Sequence, residues 1–528
     1  MKLTDIISGQ INAAEWEQKG YQLPKFDIKA VREKTAKEPT WVHFGGGNIF
    51  RAFPAAILND ALNTGKYDRG VIVAETFDFE VIDKAYQPYD NLSLYVALCS
   101  DGTVEKKVIA SVTEALKADY QFQDWQRLID IFRNPSLQMI SFTITEKGYS
   151  YNDADLARGL QPMFALGKVT ALLYERWQAG QLPLTIQSMD NCSHNGDKVK
   201  TGVFAYAERW LEDGLVPAAF LEYLKDETKI TFPWSMIDKI TPRPHEKVKE
   251  LLAADGFEDN NYIETERHTF TAPFVNAEEV QYLVIEDHYT NGRPPLHLGG
   301  ALYTTRETVD KVETMKVTTC LNPLHTAMSI YGCMLGYTLI SAEMQDADLR
   351  AFIQKIGYIE AMPVVVDPGV LNPYEFIGAV INRRLPNPFM PDAPQRIAMD
   401  TSQKLPIRFG ETIKKYIARG LDMSNLQLIP LVLAGYARYL KGIKDDGTPF
   451  EPSPDPMLQE LQQIVAPLEV GKPKQDYSCL RQLYSRSDVF GLDLYEAGLG
   501  EQIEGYVREL FGGNGSVRQT LHKYVSLR

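Results

Sequence analysis

Short apolar runs alternate with longer stretches of helical periodicity through the first half of the chain. TWVHF (40–44), GVIVAE (70–75), MISFTIT (139–145) and LPLTIQS (182–188) are rich in β-branched residues and have the length of strands. Between them, segments such as RAFPAAILNDALN (51–63) and GDKVKTGVFAYAERWLED (196–213) repeat apolar residues at helical spacing. Strands separated by helices predict a parallel sheet with crossover helices, and such a sheet binds ligands at the carboxyl ends of its strands. EVQYLVIEDHYTNGRPPLHLGG (279–300) starts as a strand and breaks at Gly292 and the pair Pro294-Pro295. A domain boundary is therefore expected between residues 290 and 291. Beyond it β-branched runs thin out and helical patterns dominate, at 305–316, 324–344, 347–356, 373–383, 408–419, 427–442, 457–465 and 499–510. The stretch KGIKDDGTPFEPSPDP (441–456) reads as an exposed loop. The expected fold class is an α/β N-terminal domain over residues 1–290 and a second, mostly α-helical domain over 291–528.

Composition narrows the classes of function. The 528 residues are 44% hydrophobic and 23% charged, values of an ordered globular protein with ample apolar content for two cores. A net charge of −14 argues against a broad surface for nucleic acid or anionic membranes, while leaving room for a local basic pocket. Five cysteines (Cys99, Cys192, Cys320, Cys333 and Cys479), an odd number with no CxxC, fit reduced thiols in the cytoplasm. The N-terminal residues show no basic segment followed by an apolar one, so no signal peptide is expected. AMSIYGCMLGYTLISAEM (327–344) is nearly uncharged and carries Gly332 and Gly336 at GxxxG spacing, features shared with membrane spans. Its Tyr, Ser and Thr residues, and the lack of a second such segment, favour a helix buried inside a helical domain.

The stretch VHFGGGNIFRAF (42–53) places three glycines between a strand and a helix. Glycine lets the backbone approach a pyrophosphate, and N–H groups at a helix start face the anion. Gly45, Gly46, Gly47, Asn48, Ile49, Phe50 and Arg51 are the candidate cofactor-binding residues, with Arg51 placed to reach a phosphate. The pattern G-x-G-x-x-G is incomplete, since Phe50 occupies its last position, and a plain strand-to-helix corner is the alternative. Glu75, just past the next strand, is the acid expected to accept hydrogen bonds from the adenosine ribose and so to favour NAD over NADP. It lies thirty residues after Gly45, against about twenty in the usual pattern, which the inserted NTGKYDRG (63–70) can account for. Asp78 competes for the role.

Three further segments carry polar residues where chemistry is expected. QSMDNCSHNGDKVK (187–200) follows a strand and precedes a helix, offering Asn191, His194 and Asn195, although a helix N-cap is an equally simple use of Asn195. FPWSMIDKITPRP (232–244) surrounds Asp238 with apolar residues, and a buried carboxylate needs partners. ETMKVTTCLNPLHTAM (313–328) gathers Lys316, Asn322 and His325. A lysine can carry a proton near neutral pH, an amide can donate to an oxygen that becomes negative, and an imidazole can orient a substrate. No HExxH, no Cys/His cluster at zinc spacing, no GxSxG elbow and no Walker A sequence occurs, so no metal is expected.

Taken together, GGGNIFRAF, TITEKGY (143–149), SMDNCSHNGD, FPWSMIDKITPRP, VIEDHYTNGRPPL, LNPLHTAM and DTSQKLPIR (400–408) resemble the polyol-specific long-chain dehydrogenase, or mannitol dehydrogenase, family. The resemblance implies a Rossmann-type N-terminal domain, a helical C-terminal domain, NAD as cofactor, and zinc-independent hydride transfer at a secondary alcohol or ketone. It implies Lys316 as general acid/base, Asn191 and Asn322 as the amides of an oxyanion hole, His325 as the residue orienting the substrate oxygen, and Asp238 at the cofactor cleft. Glu313, three residues before Lys316, matches a family glutamate beside the lysine. The family spaces lysine and asparagine by five residues, and here the spacing is six. Either one residue is inserted after Lys316, or the register moves and Lys311 takes its place.

NCSHNGD and LNPLHTAM are most similar to the hexuronate branch, which implies interconversion of D-mannonate and D-fructuronate. The alternatives are reduction of tagaturonate, a neutral polyol such as mannitol, a phosphorylated sugar, or a catalytically silent regulator that binds NADH. A uronate carboxylate calls for a cation, with Arg384, Arg396, Lys404 and Arg408 as candidates. The expected partner is a small sugar acid or polyol, with no nucleic acid or membrane.

Overall fold

The computed structural model describes residues 1–472 and 474–526, in two compact units, Met1–Asp310 and Lys311–Arg528. The first is built on six parallel strands, β1 (Trp41–Phe44), β2 (Val71–Glu75), β3 (Val112–Lys117), β4 (Met139–Phe142), β5 (Leu184–Ser188) and β6 (Ile230–Thr231). Their order across the sheet is β3-β2-β1-β4-β5-β6, the strand order of dinucleotide-binding folds. Side chains alternate between two cores. Val42, Phe44, Ile72, Ala74, Ile140 and Phe142 pack on one face, and Trp41, Val71, Val73 and Met139 on the other. Phe44 and Ile140 are fully buried, each stabilising the fold by about 2 kcal/mol.

Helices cover both faces. The segment expected as one helix over 51–63 is two, α1 (Asn48–Ala52) and α2 (Pro54–Asn63), because Phe53, preceding proline, leaves the helical region at φ −130°, ψ −79°. On the opposite face, α3 (Asn195–Glu212) buries Val199, Val203, Tyr206 and Trp210.

Two strands of the parallel sheet escape the sequence pattern. β3 is an edge strand with polar Glu114 and Lys117, and β6 has only two residues. A second, mixed sheet joins Tyr21–Gln22, Val104–Ile109, Ser93–Leu98 and Phe274–Glu278. Tyr282–Glu286 pairs antiparallel with Ser235–Asp238 and parallel with Leu302–Thr304. That last pairing holds the chain after Pro294-Pro295 in the first unit. The division consequently falls after residue 310, within helix α4 (Arg306–Met315), and not at 290/291.

The second unit is helical. One of its buried helices is α5 (Asn322–Leu335), which ends at Gly336 in the left-handed region (φ 83°). The uncharged stretch 327–344 is thereby cut in two, and among the described residues no helix is long and apolar enough to cross a membrane. Tyr331 of α5 donates to the Leu431 carbonyl at 2.8 Å, tying it to the buried helix Leu428–Tyr439. Among the described residues of this unit, four stretches pass through π turns: Lys316–Cys320, Ile356–Ala361, Val380–Arg384 and Pro406–Gly410.

Candidate active site

The glycine turn closes over the end of β1. Gly45 has φ 106°, and a Cβ there would lie 2.3 Å from the Thr143 carbonyl oxygen, so only glycine fits. Gly46 is held from two sides. Its N–H donates to Glu75 Oε2 at 2.8 Å, and its carbonyl accepts from Tyr86 Oη at 2.8 Å. At Gly47 a Cβ would meet nothing within 4 Å, which leaves open space beside the turn. Gly45→Ala is expected to cost roughly 2–3 kcal/mol in thermal denaturation, from positive-φ strain and the clash, while Gly47→Ala stays within about 0.5 kcal/mol. Equal melting of the two variants would contradict the close approach at Gly45.

The residues after the glycines turn inward. Phe50 is fully buried and stacks on His43 with ring centroids 4.2 Å apart. Ile49 packs at the edge of the same core. Arg51 turns toward Asn48 and the segment Thr271–Ala272. Its buried guanidinium donates to the Ala272 carbonyl at 2.7 Å, to Asn48 Oδ1 at 2.8 Å and to the Thr271 hydroxyl. Arg51 and Asn48 therefore brace α1 against the segment Thr271–Ala272, a contact made with residues more than two hundred positions away.

Glu75 ends β2, where its Oε1 accepts N–H bonds from Thr76 (3.0 Å) and Phe77 (2.9 Å) while Oε2 holds Gly46. The acid thus sits against the glycine turn. Asp78, the competing acid, accepts the Thr265 hydroxyl at 2.6 Å.

At the ends of β4 and β5 the organising residue is Asp190, which sequence reasoning passed over for its neighbour. Its buried carboxylate accepts the N–H groups of Ile144 (2.9 Å) and Thr145 (3.0 Å) and the Tyr149 hydroxyl (2.6 Å). Burial pushes its pKa up, against these hydrogen bonds. Thr145 is held at φ 62°, ψ 165°, a conformation that costs a β-branched residue about 1–3 kcal/mol. Asn191 follows Asp190 on the exposed side of this braced corner. Asn195 is fully buried, with its amide spent on Asp190 and Ser235, so it is a structural staple. His194 lies in the left-handed region, stacked on Trp234 at 4.0 Å with Nε2 3.3 Å from Asp310. Asp238 is buried at the end of Ser235–Asp238.

In the second unit, Lys316 opens the π turn that joins α4 to α5, and its side chain is buried. The Leu321 N–H donates to the Lys316 carbonyl at 3.1 Å, a span of five residues where an α-helix spans four. Asn322 starts α5 and is half-buried. One turn on, His325 lies 3.7 Å from Asp392 Oδ2, beyond hydrogen-bond reach. Burial pushes its pKa down to about 4; Asp392 opposes this, and Arg408, Arg384 and Arg396 add to it. The ring is therefore neutral at working pH and forms no ion pair with Asp392. Its buried Nε2 has no hydrogen-bond partner and remains able to orient a substrate oxygen.

The candidate cations divide. Arg384 is buried at the end of one π turn, and Arg408 lies in another, where it donates to the Thr326 hydroxyl of α5. Arg396 is exposed and bonded to Asp392. Lys404 donates to the carbonyls of Ile397 and Met399, and burial pushes its pKa down to about 8.

Residues 39–298 match the mannitol dehydrogenase Rossmann domain, and residues 308–510 match the mannitol dehydrogenase C-terminal domain. The chain belongs to the mannitol dehydrogenase family. Among curated relatives in or near this family, D-mannonate oxidoreductase of Thermotoga maritima is 51% identical over 97% of this chain and 97% of its own. Two solved structures share the fold. One is the substrate-free crystal structure of a D-sorbitol dehydrogenase (TM-score 0.78, 24% identity, 95% of this chain and 97% of the other). The other is the ternary complex of Pseudomonas fluorescens mannitol 2-dehydrogenase with NAD and D-mannitol (TM-score 0.68, 24% identity, 96% and 97%). The family's two domains thus account for both the parallel sheet and the helical unit.

Proposed function

We propose that this enzyme interconverts D-mannonate and D-fructuronate with NAD as cofactor. The observation that carries the reading is the 51% identity to a D-mannonate oxidoreductase along nearly the whole length of both chains. The turn fits a dinucleotide: open space lies beside Gly47, and the Glu75 carboxylate beside Gly46 suits ribose hydroxyls and repels a 2′-phosphate.

Bound NADH supplies the hydride. The chain supplies the rest. In the reductive direction Lys316 gives a proton to the substrate oxygen, and the Asn322 amide stabilises the charge on that oxygen beforehand. His325 Nε2 fixes the oxygen's position. By family resemblance Asn191 supplies a second amide. The cations support a sugar acid over a neutral polyol, since three arginines (Arg384, Arg396 and Arg408) bear on His325 against one carboxylate, Asp392. Arg384, Arg396 and Lys404 were the expected contacts. Arg396 is exposed and paired with Asp392, whereas Arg384 is buried and Arg408 is braced on Thr326 of α5, so we favour Arg384 and Arg408 as the carboxylate contacts.

The deciding experiment follows oxidation of NADH, then NADPH, with fructuronate, tagaturonate, fructose and fructose 6-phosphate. Preference for fructuronate with NADH is expected. Preference for another keto sugar would replace the substrate and keep the chemistry, whereas NADH binding without turnover on any of them would point to a silent regulator. Arg408→Met is expected to lower kcat/KM for fructuronate about tenfold to a hundredfold, the scale of a charged hydrogen bond, with a much smaller change for fructose. Equal losses on both sugars would assign Arg408 to holding Thr326 alone.

A further inference from the structure

Phe77 is the most exposed large apolar side chain among the described residues, at 64%. It stands two residues after Glu75, and its own N–H donates to that carboxylate. Its neighbour in the pattern, Phe79, points the other way, packing on Phe122 (5.0 Å between centroids) and under the Lys168 ammonium (5.3 Å). The loop therefore packs one ring, half-buried, and presents the other.

One face of the Phe77 ring is covered by the Arg267 guanidinium, 4.3 Å from its centroid. With 64% of the residue exposed, the opposite face is open. Arg267 comes from the tip of the hairpin that pairs Ile263–Glu264 with Phe270–Thr271. That hairpin is fixed to the cofactor region at both ends. At its base Arg51 holds Thr271 and Ala272. At its tip Thr265 bonds Asp78 at 2.6 Å, and the Glu266 N–H bonds Glu80 at 3.0 Å. A surface hairpin anchored this way holds a cation against a single exposed aromatic ring, next to the acid assigned to the adenosine ribose.

We propose that Phe77, backed by Arg267, is the stacking platform for the adenine base of the cofactor. The assignment rests on the NAD reading above. An aromatic ring offers a base a flat apolar surface whatever its hydrogen-bonding edge, and its place beside Glu75 is where the base must follow the ribose. Arg267 keeps the ring in place from behind by its attraction to the π face.

The test uses the full-length enzyme, with NADH affinity measured by fluorescence titration beside steady-state kinetics. Phe77→Ala is expected to raise the Kd for NADH about tenfold to a hundredfold, as a KM effect and not a kcat effect, and to abolish competition by AMP. Phe77→Tyr, which keeps the ring, is expected to remain within about threefold of wild type, and Arg267→Ala to weaken NADH about two- to fivefold. A Phe77→Ala enzyme that binds NADH within twofold of wild type overturns the assignment. So does an Arg267→Ala enzyme that loses NADPH affinity and not NADH affinity, since that would make Arg267 a reader of the 2′-phosphate. A wild type that neither binds nor oxidises NADH would overturn the functional reading itself, a result distinct from either.

Discussion

Lys316→Ala is expected to lower kcat for fructuronate reduction about 10²- to 10⁴-fold, the range of a lost general acid, while the Kd for NADH stays within about twofold. The substrate oxygen gains negative charge as the ketone is reduced, and without a positioned proton donor it must wait for water. Lys316 is buried in a helical segment, so its ammonium is presented from a rigid element and not from a loop. The rival register gives the control. Lys311→Ala is expected to keep near-wild-type turnover, and the reverse pattern, with Lys311 essential and Lys316 dispensable, would move the acid/base by more than a turn.

The π turn supplies a physical reason to favour Lys316. Lys316 and Asn322 are six positions apart, where the resemblance implies five. A π turn takes one residue more per turn than an α-helix, and the Leu321-to-Lys316 hydrogen bond closes such a turn directly after the lysine. A turn of this kind can take up one extra residue, which supports Lys316 over Lys311. Asn322 then starts α5 after Leu321, which leaves the helical region at φ −131°, ψ −64°, and the Glu313-x-x-Lys316 spacing is undisturbed.

The same turns explain what the sequence left illegible. The parallel sheet was readable because its central strands are buried on both faces and appear as unbroken apolar runs. β3 and β6 were not, since an edge strand mixes polar residues and a two-residue strand carries no period. In the helical unit the approximate spans were readable from apolar spacing, but a π turn leaves no signature in a pattern of period 3.6. Of the four π turns described there, three carry Lys316, Arg384 and Arg408, so the spacing was least informative where these side chains sit.

The site shows a similar division. The glycines were legible because a positive φ and a 2.3 Å approach demand that residue type. The bracing role of Arg51 was not legible, because its partners, Thr271 and Ala272, are remote in sequence and nothing local distinguishes a buried strut from a phosphate ligand. Asp190 lies within the motif SMDNCSHNGD, yet its importance comes from accepting two N–H groups of the loop after the neighbouring strand β4 and one distant hydroxyl. Asp392 had no motif at all, and its relevance rests on the fold bringing it beside His325.

Asn322→Ala is expected to lower kcat about 10²- to 10³-fold, the cost of removing one oxyanion donor, with little change in KM. The distinction matters because an amide that binds ketone and alkoxide equally would shift KM and leave kcat alone. Asn322 is suited to the selective role. It begins α5 ahead of Pro323, its carbonyl accepts the Thr326 hydroxyl at 3.1 Å, and Arg408 bonds that same hydroxyl. The amide is thus carried on a braced helix start, and little reorganisation is required when charge develops on the substrate. Asn322→Asp separates donation from shape. A carboxylate of nearly the same size offers no N–H and places a negative charge beside the forming alkoxide, so its kcat is expected to fall below that of the alanine variant. An aspartate variant that matched wild type would remove Asn322 from the oxyanion hole and leave it as a cap of α5. An aspartate variant that matched alanine would mean that water reaches the oxygen and screens the added charge.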